Sequence, residues 1–249
     1  MSELLVDHNE GITTITLNRP DAMNAFTPTL LEALVEALKD ASSTARVIVL
    51  RGAGRAFSAG VDLKVLQQAT LKHGRVGGVF DGPASQAATA VRQASVPVIA
   101  RVHGACFTGA LEIALHCDFI LCTKNTKFGD THAKFGIRPT WGMSQTLARA
   151  VGTRRAKELS FTARTFSGEE AVRFGLANDA YDTEDALDAA IADITTRIAS
   201  NSPGAIAAYK ELFSVAEENR PLEDALDEEV ARDFPGITDT EERLAGFGR

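Results

Sequence analysis

Hydrophobic positions in the first 52 residues change from a strand pattern to a helix pattern and back. The segment ELLVDHNEGITTITLNRP reads as two strands around a turn at residues 9–11, and Pro20 ends it. Leucine and valine then recur at helical spacing over residues 30–38, with Thr27 as N-cap and Pro28 at the first helical position. The segment ARVIVLRG follows as an apolar strand. This order predicts an α/β protein.

The rest of the chain continues the alternation and then becomes helical. A glycine-rich turn and a polar stretch lead to about Pro83, and ASQAATAVRQAS then predicts a helix. VPVIARVHG predicts a buried strand, GALEIALHCDFILCT a helix that runs into a strand, and TKFGDTHAKFGIRPTWG mostly loop with short extended pieces. From Met143 the pattern is helical, with a capping box at Ser167 and Glu170. We predict an α/β core over 1–190 and a helical region over 191–249.

The turn GAGRAFSAGVDL resembles two loops of known chemistry without matching either. Gly52 and Gly54 fit the dinucleotide fingerprint, but Phe57 occupies the sixth position, where a bulky side chain obstructs the approach to a pyrophosphate. A serine hydrolase would use Ser58 with His132 as its base, yet Ala56 replaces the first glycine of G-x-S-x-G. The ligand of this turn stays open at this point.

The net charge, the apolar runs and the cysteines of the chain indicate which partners and which compartment to expect. The net charge is −7 with scattered basic residues, so we expect no nucleic acid. We expect no membrane segment, because no apolar run reaches about 18 residues, and no secretory signal, because no basic segment precedes an apolar run at the N-terminus. The three cysteines have apolar neighbours, which favours reduced thiols in a cytoplasmic protein. No ligand spacing predicts a metal.

Five segments in order along the chain resemble one family. They are ITLNRPDAMNAF, GAGRAFSAGVDL, VPVIARVHGACFTGALEIALHCDFI, FGDTHAKFGIRPTWGMSQTLARAVG and FSGEEAVRFGLAND. Together they resemble the enoyl-CoA hydratase/isomerase family, the crotonases. The resemblance implies a crotonase-like spiral of ββα repeats with a C-terminal helical oligomerisation region, assembled as a homotrimer or a dimer of trimers. It also implies an acyl-CoA substrate, no cofactor, and addition of water to a 2-enoyl-CoA.

The resemblance assigns an oxyanion hole and a path for CoA. The backbone N–H groups of Val61 and Gly109 match those that hold the thioester oxygen in the family. Such donors stabilise the negative charge that develops on this oxygen when an enolate forms. The residues that resemble the lining of the CoA path are Asn24, Ala25, Ala59, Gly60, Asp62, Leu63 and Lys64.

Glu112 is the first candidate acid/base group. It follows Gly109 by three residues, so both lie in one helical turn and can face the same space. A carboxylate within ALEIAL is costly unless it is paired. One interpretation is a glutamate satisfied by backbone N–H groups, and the other is a group whose environment tunes its pKa for catalysis. Glu112 matches one of the two catalytic glutamates of the family's hydratases.

The second glutamate of the family is replaced. The matching position, four residues after Phe128, holds His132, which can exchange a proton near neutral pH. Asp130 is a possible orienting acid for His132. We therefore expect an enoyl-CoA hydratase with Glu112 and His132 as its acid/base groups. The alternatives are a double-bond isomerase, which needs one base, and a non-catalytic acyl-CoA binder, with His132 as an ordinary loop residue.

Overall fold

The computed structural model describes residues 2–68, 71–218 and 220–246. The strands within these ranges are β1 Leu4–Asn9, β2 Ile12–Leu17, β3 Val47–Gly52, β4 Val98–Val102, β5 Ala105–Phe107, β6 Phe119–Thr123, β7 Lys127–Gly129, β8 Phe166–Ser167 and β9 Asp179–Tyr181. The α-helices there are α1 Pro28–Thr44, α2 Leu63–Leu66, α3 Gly78–Gln93, α4 Gly109–Ala114, α5 Met143–Val151, α6 Thr153–Thr162, α7 Gly168–Phe174, α8 Glu184–Ser200, α9 Pro203–Ala216, α10 Leu222–Ala231 and α11 Thr240–Ala245. Short 3₁₀ helices lie at Pro20–Ala22 and Ala133–Phe135.

These strands form two sheets. The larger has the order β1-β2-β3-β4-β6-β9, with β1 antiparallel to β2 and the other pairs parallel. The smaller has the order β5-β7-β8. The pairs β4–β5 and β6–β7 each place one strand in each sheet and lead to a helix, α4 and α5 respectively. This arrangement agrees with the predicted ββα repeats.

The larger sheet is covered on both faces, which explains the continuous apolar run in β3. Val47 and Val49 pack against Leu187 of α8 on one face. Ile48 and Leu50 belong to the main core on the other face, together with the buried sides of α1 and α3. Successive side chains of a strand point to opposite faces, so a strand buried on both faces needs an apolar residue at every position.

Local signals at helix N-termini are confirmed. Thr27 Oγ1 accepts a hydrogen bond from Leu30 N at 3.0 Å, and Pro28 is the first residue of α1. The capping box at the start of α7 is also present, because Ser167 and Glu170 bond reciprocally to each other's backbone N–H.

The predicted start of α3 was wrong. The helix begins at Gly78 and contains Pro83, instead of beginning after it. Proline lacks the N–H that would bond to the carbonyl four residues earlier. That carbonyl belongs to Val79 in the first turn of α3, so the proline removes one internal hydrogen bond near the start of the helix.

The purely helical pattern predicted after Met143 was also incomplete. The short strands β8 and β9 interrupt it, and each is held by pairing with a strand far away in sequence. The division of the chain between 190 and 191 stays a prediction, and it falls within α8. None of the helices in the described ranges has the length and apolar character needed to span a bilayer.

Candidate active site

The loop before α2 turns the N–H of Val61 toward the start of α4. Phe26 N donates to Gly60 O at 2.7 Å, and Asp62 N donates to Phe26 O at 2.9 Å, so the Val61 N–H faces away from Phe26. A Cβ added to Gly60 would lie 3.5 Å from Gly109 N, which puts the two predicted donors side by side. Within the ranges that the structure describes, neither N–H has a hydrogen-bond acceptor. This arrangement agrees with the oxyanion hole that the resemblance implies, and that role stays a prediction.

The start of α4 carries strain and close contacts. Thr108, directly before Gly109, has φ 46° and ψ −114°, which is rare for a residue with a side chain. A Cβ on Gly109 would lie 2.4 Å from the ring of Trp141, so only glycine fits at this position. The strained turn and the indole together fix the direction of the Gly109 N–H.

Glu112 uses its two carboxylate oxygens differently. Oε1 accepts hydrogen bonds from Trp141 N at 3.0 Å and Met143 N at 3.1 Å. Oε2 faces His132 Nε2 at 3.5 Å. Burial raises the pKa of Glu112, although the charge of His132 and the two N–H groups oppose the shift. The first interpretation, a glutamate satisfied by backbone N–H groups, is confirmed for Oε1, and the catalytic interpretation stays a prediction that concerns Oε2.

Asp130 contacts His132 directly. Oδ1 of Asp130 lies 2.6 Å from His132 Nδ1 and 3.3 Å from the His132 backbone N. Burial disfavours the charged form of Asp130, but hydrogen bonds from His132 and Ser160 outweigh it and lower its pKa. An ionised carboxylate only accepts hydrogen bonds. His132 Nδ1 therefore carries a proton and donates a hydrogen bond to Asp130.

His132 is consequently disposed to be charged. Burial alone would lower its pKa, but the hydrogen bond that His132 donates to Asp130 and the charges of Glu112 and Asp130 raise it. With Nδ1 bound to Asp130, Nε2 is the nitrogen that faces Glu112. The site is a buried row of carboxylate, imidazole and carboxylate beside the two free N–H groups.

The sequence model of one family, described as enoyl-CoA hydratase/isomerase, matches residues 7–247 of the chain. The chain belongs to the enoyl-CoA hydratase/isomerase family. A probable enoyl-CoA hydratase of Rhizobium meliloti is 36% identical and covers 98% of this chain and 93% of its own length. The solved enoyl-CoA hydratase of Bacillus anthracis is 32% identical with a TM-score of 0.88, covering 98% of this chain and 94% of its own. A solved monofunctional enoyl CoA isomerase of M. smegmatis is 29% identical with a TM-score of 0.74, covering 90% of this chain and 98% of its own. The crotonase fold predicted from the sequence is confirmed.

The contacts of Ser58 do not suit the nucleophile of a serine hydrolase. The Ser58 hydroxyl is buried and donates to Asn24 O at 2.8 Å. The ring nitrogens of His132 face Asp130 and Glu112 instead of Ser58. These contacts agree with the sequence analysis, which already disfavoured Ser58 and His132 as a nucleophile and its base.

The glycine-rich turn is closed against the strand that precedes it. A Cβ on Gly52 would lie 2.3 Å from both Ala56 O and Phe57 O, and Phe57 is fully buried. Carbonyl oxygens therefore occupy the space above the strand end, where a phosphate loop would present N–H groups. The turn therefore does not have the form of a phosphate-binding loop, and its predicted role at a thioester through Val61 stays a prediction.

The predicted CoA path is only partly exposed. Leu63 is 53% exposed at the start of α2, and Lys64 is exposed beside it. The side chain of Asn24 is fully buried and bonds to Ala53 O, Ala56 O and the N–H of Arg19. The polar atoms of this side chain are engaged by the protein, and the predicted place of Asn24 on the CoA path stays a prediction. Asn24 ties the glycine-rich turn to the loop that follows β2.

Two residues near the site received no role in the sequence analysis. Arg19, which precedes Pro20, donates to Asp62 beside the oxyanion hole. Trp141 contacts Gly109 and donates its backbone N–H to Glu112. Trp141 is the single tryptophan of the chain and lies in a glycine-containing loop, which was a sequence signal for a special role. Nothing local in the sequence distinguishes Arg19, because its partner is 43 residues away. Within the described ranges, no group of three or more His, Cys, Asp and Glu residues is placed to hold a metal ion.

Proposed function

We propose that this protein is an enoyl-CoA hydratase that adds water across C2 and C3 of a 2-enoyl-CoA. One observation carries the proposal: Glu112 Oε2 and His132 Nε2 face each other at 3.5 Å beside the free N–H groups of Val61 and Gly109. Two proton-exchanging groups at this separation suit a reaction in which a water molecule is split between two adjacent carbons.

The backbone donors act on the thioester oxygen. When water attacks C3, electrons move through C2 toward the carbonyl, and negative charge develops on that oxygen. The Val61 and Gly109 N–H groups stabilise this charge without reorganising, because Trp141 and the backbone bonds of the loop already fix them. Removal of one such donor costs about 2.7–4 kcal/mol of barrier in a measured protease.

Glu112 and His132 exchange the protons. Ionised Glu112 accepts a proton from the water whose oxygen bonds to C3, and charged His132 donates its Nε2 proton to C2. The sum is one water added across the double bond, with a proton transferred to Glu112 and one lost from His132. Return of that proton from Oε2 to Nε2, directly or through solvent, restores the starting state. Asp130 holds the imidazole in the orientation that this step requires.

The resemblance to a solved enoyl CoA isomerase supports a second candidate reaction. Glu112, with its raised pKa, could move a proton between C2 and C4 of a 3-enoyl-CoA without adding water. The hydratase is favoured because His132 supplies a second group on the same face of the site.

We also propose the substrate class, the residues along its path, the assembly and the compartment. The substrate is an acyl-CoA with no further cofactor, since two proton transfers complete the reaction. Ala25, Ala59, Gly60, Asp62, Leu63 and Lys64 line its path, as the resemblance implies. The assembly is a homotrimer or a dimer of trimers. The cysteines Cys106, Cys117 and Cys122 are free in the structure, which suits a reducing compartment, and we propose the cytoplasm.

The test is to incubate the purified protein separately with 2-enoyl-CoA and 3-enoyl-CoA esters of several chain lengths. The products are identified by mass and, for isomers, by chromatographic comparison with authentic esters. A hydratase converts the 2-enoyl esters into products heavier by one water. An isomerase converts the 3-enoyl esters at unchanged mass. Binding without any product would identify a non-catalytic acyl-CoA binder and contradict both reactions.

A further inference from the structure

Arg19 connects three segments of the chain that lie around the oxyanion loop. Its guanidinium donates to Ala25 O at 2.5 Å and to Asp62 Oδ2 at 2.9 Å, and its Nε lies 2.9 Å from Glu3 Oε1. The side chain is only 20% exposed. All three guanidinium nitrogens therefore have protein acceptors, in the planar geometry that arginine provides and lysine does not.

Two of these acceptors flank the bridge that aims the Val61 N–H. Ala25 is adjacent to Phe26, and Asp62 is adjacent to Val61, the two residues that form this bridge. The bridge consists of the hydrogen bonds from Phe26 N to Gly60 O and from Asp62 N to Phe26 O. A displacement of either segment would rotate the Val61 N–H away from that of Gly109.

Asp62 is well suited to anchor this contact. Its carboxylate is buried, and its Oδ1 also accepts the N–H of Lys64 at the start of α2. Burial opposes ionisation of Asp62, but the hydrogen bond and charge of Arg19 and the N–H groups of Lys64 and Val65 outweigh it and lower its pKa. A charged, mostly buried pair with fixed geometry is a stiff connection, unlike an exposed ion pair.

We infer that Arg19 is a positioning residue of the oxyanion hole, which holds the Ala25–Phe26 and Val61–Asp62 segments together so that the Val61 N–H points at the thioester oxygen. The inference rests on the proposed function. Arg19 does not touch the substrate in this account. Its effect reaches the thioester only through the direction of the Val61 donor.

The test uses a probe that reports the hydrogen bonds to the thioester oxygen. Butyryl-CoA labelled with ¹³C at its carbonyl has no double bond to hydrate, so it stays intact when bound. Hydrogen bonds to its carbonyl shift the ¹³C=O infrared band to lower frequency. The variants are Arg19→Lys, which keeps the charge but loses the planar geometry, and Asp62→Asn, which removes the charge of the anchor. Thermal unfolding establishes the temperature below which each variant is folded.

We expect the band shift of butyryl-CoA to shrink in both variants. We also expect kcat for crotonyl-CoA to fall by about 10- to 100-fold with KM changed much less, because a misdirected donor loses part of the 10²–10³-fold contribution of one oxyanion donor. Arg46→Lys is the matched control, since Arg46 bonds to the Asn201 carbonyl instead of to the oxyanion loop. This variant should match the wild type in both readouts.

Two other outcomes have distinct meanings. A normal band shift and a kcat within twofold of wild type in folded Arg19→Lys would show that Arg19 only stabilises the fold, and would overturn the inference while leaving the hydratase intact. The absence of a band shift in the wild-type protein would overturn the proposed oxyanion hole, and the inference with it.

Discussion

At the scale of single residues, the two carboxylate oxygens of Glu112 have different partners. Oε1 is held by the N–H groups of Trp141 and Met143, and Oε2 is the oxygen available to a water molecule. We expect Glu112→Gln to retain the fold and the affinity for butyryl-CoA, because an amide has nearly the same shape. Turnover of crotonyl-CoA should fall by about 10²- to 10⁴-fold, since the amide cannot accept the proton.

Glu36→Gln is a control for this experiment. Glu36 lies on the exposed side of α1, and its removal should leave both affinity and turnover unchanged. If Glu112→Gln turned over crotonyl-CoA within a few-fold of the wild-type rate, the assignment of Glu112 as the base would be wrong.

The pH dependence of kcat/KM distinguishes the two groups. The reaction needs ionised Glu112, whose pKa lies above the ordinary value of about 4.3, so activity falls as pH decreases through that raised pKa. It also needs protonated His132, whose pKa lies above about 6.5, so activity falls as pH rises through it. His132→Gln should abolish the alkaline limb, keep the acid limb, and lower the rate by about 10²- to 10⁴-fold.

Asp130→Asn is the companion variant, because it keeps the shape of Asp130 and removes the charge that raises the pKa of His132. The alkaline limb should move to lower pH while the acid limb remains. An unchanged rate and profile in His132→Gln would make His132 a bystander, and the isomerase would become the better account.

At the scale of secondary-structure elements, α7 depends on its capping box and lies outside the catalytic row. Ser167→Ala removes the hydrogen bond to Glu170 N and should lower the free energy of unfolding by about 1 kcal/mol. Urea unfolding measures this change, and turnover of crotonyl-CoA should be unaffected. Ser200→Ala, at the C-terminal end of α8 where no N-cap is lost, should change stability much less. Equal effects of the two substitutions would show that the capping box contributes nothing measurable.

The sequence predicted those elements whose determinants are local. Thr27 and Pro28 define the start of α1 within one turn of helix, and the apolar run of β3 records burial on both faces. Pro83 misled the prediction, because a proline in the second turn of a helix removes only one internal hydrogen bond and need not end the helix. The strand β9 is three residues long and exists through its pairing with β6, which no local pattern reveals.

In the candidate site, too, contacts between residues near each other in sequence could be predicted, and contacts between distant segments could not. The proximity of Gly109 and Glu112 follows from helical spacing and could be predicted. Asp130 meets His132 because the chain leaves β7 and adopts a helical backbone at His132, and no pattern in the sequence predicted this change. The contact between Arg19 and Asp62 joins distant segments, so only the folded structure reveals it.

At the scale of the whole molecule, the C-terminal helices present large apolar side chains to the surface. Tyr209 and Phe213 stack on each other on α9, and Val230 of α10 is 86% exposed. Exposed apolar faces of this kind suit burial between subunits. We expect Val230→Glu together with Phe213→Glu to reduce the proposed trimer to smaller species in sedimentation velocity.

Leu5→Glu, on the exposed part of the edge strand β1, is the matched control and should leave the assembly unchanged. If the double variant sedimented as the wild type does, the C-terminal helices would not form the subunit contact.

The central claim is that Glu112 and His132 divide a water molecule between C3 and C2 of an enoyl thioester. The most direct measurement is the conversion of crotonyl-CoA in water enriched in ¹⁸O and deuterium, with fragmentation of the product in a mass spectrometer. We predict one ¹⁸O on C3 and one deuterium on C2 in the product of the wild-type protein, and formation of this product about 10²- to 10⁴-fold more slowly by Glu112→Gln. A product without ¹⁸O, or labelled product formed equally by Glu112→Gln, would contradict the account.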